Sequence, residues 1–295
     1  MVSKTKVVAP RSQWLNTVEF PFEPRGFQSE DGIMHYVDVG QGKPIVFLHG
    51  SPTWSFLYRK LIPTLSSKFR CIAVDHLGFG LSDKPRKADY SPAGHSKRLE
   101  ALLNQLHLKD VTIVGHDFGG SIALDWASRN PSQVRDLVLM NTWVWSLDKI
   151  PNIRFVSHAA SSPMNQYWLR LINPSPKFYF PVLFADNHRL SKWVQDQYQH
   201  AFNNQFETYG PEALAKAMTS PKGWFDAVSK RADVLQDKPC LILWGDQDIT
   251  YGTDALHRLQ TLLPNAATVK LPNVGNYVPE EVPDLCVRHI SAFLS

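Results

Sequence analysis

The chain has 295 residues, 43% of them hydrophobic and 20% charged, with a formal net charge of +4 at pH 7. That composition excludes a disordered tail, a collagen-like chain and a disulfide scaffold. No apolar run approaches the roughly 18 residues of a membrane helix, and MVSKTKVVAPRSQW at the N-terminus lacks the apolar centre of a secretory signal. The basic residues are scattered, so the expectation is a cytoplasmic protein with no nucleic-acid and no membrane partner.

The first 23 residues are mixed in character; beyond them, short apolar runs alternate with amphipathic stretches. Strands are predicted at Pro44–His49, Arg70–Asp75, Val111–Gly115, Asp136–Asn141, Pro239–Gly245 and Ala267–Leu271. Each is a near-continuous apolar run, as buried parallel strands require. Helical patterns fall at Trp54–Leu65, His95–Leu106, Gly120–Arg129, Ala255–Leu263 and Val282–Phe293. The alternation predicts an α/β fold with a doubly wound, mostly parallel sheet. It stops from Trp145 to Lys230, a stretch rich in aromatic residues, Asn and Pro with helical patterns at Ser191–Asn204 and Glu212–Thr219. The expected organisation is a core of residues 1–144 and 231–295, with a helical cap at 145–230 over the carboxyl ends of the strands. Cys71, Cys240 and Cys286 share no metal-like or redox spacing and read as buried free thiols.

Chemistry gathers at the predicted strand ends. Gly115-His116-Asp117-Phe118-Gly119-Gly120 follows one strand and opens a helix, the setting of a nucleophile elbow. Its centre is Asp117 instead of the usual serine. A carboxylate is already ionised near neutral pH and needs no base to attack an alkyl carbon; the ordinary alternative is a helix N-cap. His49-Gly50-Ser51-Pro52 ends another strand. There the backbone N–H of Ser51, with that of Phe118, forms a candidate hole for an oxyanion or leaving group. Asp246 and Asp248 follow the run LILWG, and either could orient a catalytic histidine, Asp248 from the better position. No motif calls for a metal or an organic cofactor.

HYVDVGQGKPIVFLHGSPTWSFLYRKLIP, DHLGFGLSDKP, IVGHDFGG, MNTW, LILWGDQD and VGNYVPEEVPD together resemble the haloalkane dehalogenase branch of the α/β-hydrolase superfamily. The match covers residues 30–145 and 235–295 in order, whereas the cap is similar only in being helical and aromatic. The resemblance implies an α/β-hydrolase fold, Asp117 as nucleophile and Asp248 as the charge-relay acid. It also implies a pocket for a small apolar substrate, with Ser51 and Phe118 at the leaving group and His49, Pro52, Trp143 and Tyr277 on the walls.

Two departures matter. The position expected to hold the catalytic histidine is Asn276, in Val274-Gly275-Asn276-Tyr277. Alkylation of Asp117 needs no base, but hydrolysis of the resulting ester needs an activated water, and general base catalysis is worth about 10²–10⁴-fold. The expectation is an alkyl ester that forms and then stalls. Neither His49, His116 nor His289 is a persuasive substitute. Phe118, in turn, stands where the family usually has a tryptophan whose indole N–H holds the departing halide. A lost preorganised donor costs on the order of 3 kcal/mol in the transition state, and Trp143, Trp145, Trp168, Trp193 and Trp224 are the indoles available near or in the cap. An epoxide hydrolase with cap tyrosines Tyr167, Tyr179, Tyr198 or Tyr209 as acids, a β-lactone-opening enzyme, and a catalytically inactive binding protein are the competing readings.

Overall fold

The computed structural model describes residues 13–161, 177–178, 180–202, 207–219 and 223–295. Eight strands form one sheet: β1 (Arg25–Gln28), β2 (Ile33–Val39), β3 (Pro44–Leu48), β4 (Arg70–Val74), β5 (Val111–His116), β6 (Val134–Met140), β7 (Cys240–Gly245) and β8 (Ala267–Leu271). Their order is β1-β2-β4-β3-β5-β6-β7-β8. β1 and β2 run antiparallel at one edge, and every pairing from β4 through β8 is parallel. All residues of β5 and β7 are buried, as central strands covered on both faces must be. The six predicted strands are present with ends shifted by no more than two residues.

The principal helices are α1 (Pro92–Gln105), α2 (Phe118–Arg129), α3 (Pro151–Ser161), α4 (Lys192–His200), α5 (Tyr209–Ala217), α6 (Trp224–Arg231), α7 (Gly252–Leu262) and α8 (Pro283–Phe293). α3 to α6 all lie between β6 and β7 in the chain. Asn204, the expected end of one of these helices, lies outside the described residues. None of the helices described is long and apolar enough to cross a membrane. Cys71, Cys240 and Cys286 are buried and free.

Two local expectations change. The strands β1 and β2 carry no strong apolar run, because β2 includes His35 and Asp38. Their partners come from afar: His35 Nδ1 meets Asp75 Oδ2 at 2.8 Å, and Arg70 bonds both Asp38 oxygens at 2.8 Å. The expected helix over 54–65 is instead a 3₁₀ turn at Ser55–Tyr58 and a short helix at Ile62–Leu65. Pro63 has no N–H to continue a helix from Arg59, while Asp75 Oδ1 accepts from Ser55 N at 2.7 Å and Leu48 O accepts from Tyr58 Oη at 2.7 Å.

A buried ion pair joins this turn to the segment before α8. Arg59 donates to both oxygens of Glu280 at 2.6 and 2.7 Å, and each side chain is only 1% exposed. Tyr198 of α4 donates to Glu280 Oε2 at 2.8 Å, tying the helical insertion to the same carboxylate. Burial alone would raise the Glu280 carboxyl, but the Arg59 charge and hydrogen bonds hold it below its ordinary value. Removing one member of such a pair strands the other charge, at a cost of about 3–5 kcal/mol. Glu280→Ala should therefore lose about that much stability in urea unfolding; a loss under about 1 kcal/mol would show that water reaches Arg59 and relieves it.

Candidate active site

Asp117 sits between β5 and α2 with φ 55° and ψ −129°. A residue with a side chain adopts that left-handed backbone only when its surroundings hold it there, at a cost of about 1–3 kcal/mol. The surroundings here are tight. A Cβ on Gly119 would lie 2.1 Å from Leu48 O, and one on Gly50 would lie 2.1 Å from Asp117 Oδ1. The two glycines thus let the elbow press against the end of β3. Thr142 Oγ1 donates to Asp117 O at 2.6 Å and closes the turn from the end of β6.

The two carboxylate oxygens have different partners. Oδ1 accepts from Ser51 N at 3.0 Å, and the backbone N–H of Phe118 also bonds the carboxylate. Oδ2 accepts from Tyr251 Oη at 2.5 Å. Burial pushes the Asp117 carboxyl up to about 6, against the lowering effect of these three hydrogen bonds. The buried hydroxyls whose acidity responds to its charge, Tyr58, Tyr251 and Tyr277, are all pushed well above their ordinary value by burial. They stay protonated throughout the range in which Asp117 titrates.

Asp248 lies on the loop after β7. Its Oδ2 accepts from Asn141 Nδ2 at 2.7 Å and Asn276 Nδ2 at 3.2 Å, and its Oδ1 from Thr250 N at 2.7 Å and Tyr251 N at 3.3 Å. Burial raises its carboxyl from the ordinary value despite these bonds. The loop carrying Asn276 is pinned to the helical insertion, since Asn276 N donates to Leu183 O at 2.9 Å and Glu281 accepts from both Gly275 N and Ala185 N. The structure therefore brings Ser51, Asp117, Phe118, Asp248 and Asn276 into one constellation at the carboxyl ends of β3, β5, β7 and β8.

A cavity of about 500 Å³ opens above Asp117. Ser51, Asp117, Tyr251 and Tyr277 give it polar groups, and Pro52, Phe118, Ile150, Ile153, Leu183, Ala215, Met218 and Ile249 make it largely apolar. Another cavity of about 590 Å³ lies on the opposite face of α5, beside Asp89, Lys216 and Trp224, and does not include Asp117.

Of the four residues expected on the pocket walls, Pro52 and Tyr277 line the cavity above Asp117, and His49 and Trp143 do not. His49 is fully buried because its ring serves the backbone: Nδ1 donates to Gly50 O at 2.7 Å and Nε2 accepts from His76 N at 3.0 Å. Trp143 stands behind the wall, stacked on Tyr251 at 4.7 Å and edge-on to Phe118 at 4.7 Å. Other indoles are also engaged elsewhere: Trp145 packs under Arg258, Trp193 lies near Arg59, and Trp224 lines the other cavity, while Trp168 falls outside the described residues. Of the insertion's tyrosines, Tyr198 is held by Glu280 and Tyr209 lines the other cavity; Tyr167 and Tyr179 lie outside the described residues.

No histidine among the described residues lines the cavity above Asp117. His116 Nε2 donates to Asn276 O at 2.9 Å, and burial pushes its imidazole down to about 4. His49 is likewise lowered to about 4 by burial. His289 lies on α8. Among the described residues, no group of three His, Cys, Asp or Glu side chains is placed to hold a metal ion.

Sequence reasoning missed Tyr251, Asn141 and Thr142. Asn141 sits in the quoted MNTW, where it both donates to Asp248 Oδ2 and accepts from Gly245 N at 2.8 Å. Tyr251 follows Asp248 by three residues in the turn that starts α7. Its hydroxyl was a visible signal without a visible direction.

The alpha/beta hydrolase fold family model matches residues 43–283. Haloalkane dehalogenase 2 of Mycobacterium tuberculosis is 34% identical over 267 residues, covering 90% of this chain and 92% of that protein. A cis-3-alkyl-4-alkyloxetan-2-one decarboxylase of Shewanella oneidensis is 32% identical over 285 residues, covering 93% of this chain and 89% of that protein. Among solved structures, the haloalkane dehalogenase DatA of Agrobacterium tumefaciens C58 superposes with a TM-score of 0.85 at 26% identity, covering 92% of this chain and 95% of that one. With the eight-stranded sheet and the order of its strand-end loops, these likenesses show that the chain belongs to the α/β-hydrolase fold family, in the branch of the haloalkane dehalogenases.

Proposed function

We propose that Asp117 attacks an alkyl carbon of a small apolar electrophile and becomes an alkyl ester, and that water cleaves this ester slowly because Asn276 occupies the place of the base. What supports this most directly is the carboxylate at the cavity floor, with Oδ1 held by Ser51 N–H and Oδ2 turned to Tyr251. The apolar walls admit hydrocarbon, and Ile150, Ile153, Ala215 and Met218 come from the helical insertion, which acts as a cap over the core. An amide has no useful basicity at neutral pH, so Asn276 keeps the hydrogen bond to Asp248 without activating water.

Intact-protein mass spectrometry after incubation with bromoalkanes tests this. One added alkyl group per chain, mapped to Asp117, is the expected result. Tight ligand binding with no added mass would instead indicate a binding protein. Only ionised Asp117 attacks, so alkylation should be near its plateau at pH 7 and fall about tenfold per pH unit below about 6. A rate independent of pH between 5 and 8 would show that Asp117 is not the attacking group.

A β-lactone is favoured as a second substrate class by Asn276 itself and by the likeness to the oxetanone decarboxylase. Attack by Oδ2 on the alkyl ring carbon bonded to the ring oxygen breaks that C–O bond, whose electron pair goes to the ring oxygen and leaves a carboxylate. The carboxylate then departs as CO₂, its C–C bond pair becomes the C=C bond, and the C–Oδ2 pair returns to Asp117. The sum consumes no water and needs no base, so Asn276 does not obstruct it. Release of alkene and CO₂ without accumulating adduct is the expected observation with such a probe.

A further inference from the structure

Given Asp117 as the nucleophile proposed above, we infer that Tyr251 is a catalytic residue of the release step. It donates a hydrogen bond to Oδ2 and stabilises that oxygen as the leaving group when its bond to the substrate carbon breaks. The contact is 2.5 Å and falls on Oδ2, the oxygen assigned the attack in the reaction proposed above, while Oδ1 accepts from Ser51 N–H. The hydroxyl is held rigidly from two sides. Tyr251 N donates to Asp248, and the phenol ring stacks on buried Trp143 at an interplanar angle of 30°. Tyr251 thus reaches Asp117 from the same loop that carries the acid.

The direction of the effect follows from where charge sits. During attack, negative charge leaves Oδ2, so a donor there is bonded more strongly to the ground state than to the transition state and slows alkylation. During alkyl–oxygen cleavage, charge returns to Oδ2 and the same bond strengthens. A hydrogen bond to a charged acceptor accounts for about 10- to 100-fold. Tyr251 therefore trades speed of attack for speed of release by C–O cleavage, the bond that a carboxylate on the neighbouring carbon can break. The turned-over substrates are then ring-opened β-lactones, whereas simple alkyl halides leave a lasting ester. In that fragmentation the electron pair goes from the C–Oδ2 bond to Oδ2, and no proton is transferred.

The test compares wild type and Tyr251→Phe by single-turnover mass spectrometry with 1-bromohexane and with a cis-3,4-dialkyl β-lactone. For the variant, alkylation by bromohexane at pH 8 should be as fast or up to about tenfold faster. Its pH midpoint should move above about 6, because a bond that lowers the Asp117 carboxyl is gone. With the lactone, alkene release should fall about 10- to 100-fold while adduct accumulates. A merely structural tyrosine would slow both reactions together and leave the midpoint in place, and that result overturns the inference. Should Tyr251→Phe not fold, 3-fluorotyrosine at position 251 keeps the shape and strengthens the donor; it should slow alkylation and lower the midpoint, and no change overturns the proposal. Absence of an Asp117 adduct in wild type with 1-bromohexane, together with no alkene from the lactone, is a separate outcome, which removes the nucleophile itself.

Discussion

Asn276→His is expected to convert a protein that accumulates an alkyl ester into one that releases alcohol, with ester decay about 10²–10⁴-fold faster. Asp248 is already in place to orient an imidazole: its Oδ2 accepts from Asn276 Nδ2 and from Asn141, and its Oδ1 from two backbone N–H groups. A histidine Nδ1–H can take over the first of these bonds, leaving Nε2 with a lone pair for water. The larger ring must fit at a site that is only 1% exposed, so overpacking should reduce stability by about 1–3 kcal/mol. Following adduct mass in time after removal of excess bromoalkane measures the decay. Decay no faster than in wild type would mean that something other than the missing base limits hydrolysis.

Asp117→Asn should abolish alkylation, by about 10⁴-fold or more, because an amide oxygen is a far poorer nucleophile than a carboxylate. The same change should stabilise the fold. Burial raises the Asp117 carboxyl from 3.8 to about 6, so its ionised form destabilises the native state at neutral pH by on the order of 3 kcal/mol. The sign is that of a raised carboxyl. Its contribution to stability is complete below the unfolded value near 4 and is lost as pH rises through about 6. Asp117→Asn should therefore melt above wild type at pH 7, with the gap closing between pH 6 and pH 4. Equal melting temperatures at pH 7 would show that Ser51, Phe118 and Tyr251 already offset the burial. A gain in stability with loss of reaction is the usual signature of a strained reactive group.

The elbow was clear because its requirements are local: an apolar strand run, glycines where the backbone comes within contact of β3, and a helix start, all within Val111–Arg129. The placement of Asn276 was legible for the same reason, since it lies in a short loop between a strand and a helical turn. The antiparallel strands β1 and β2 were not clear, because the charges on β2 look solvent-facing until Asp75 and Arg70 are brought beside them. Pro63 was visible, yet the helical pattern of 54–65 outweighed it.

By itself the sequence determined the parallel α/β core and the strand ends that carry Asp117, Asp248 and Asn276. Each of these depends on residue type and on separations of a few positions, which propensity and turn chemistry read directly. Only the tertiary structure decided which way buried side chains face. His49 turns to the backbone of Gly50 and His76, Trp143 stands behind the cavity wall, and Tyr251 meets Asp117 across 134 residues of chain. Such contacts are set by the order of strands in the sheet and by the packing that must satisfy every buried polar group. Neither is written in a local window of the chain.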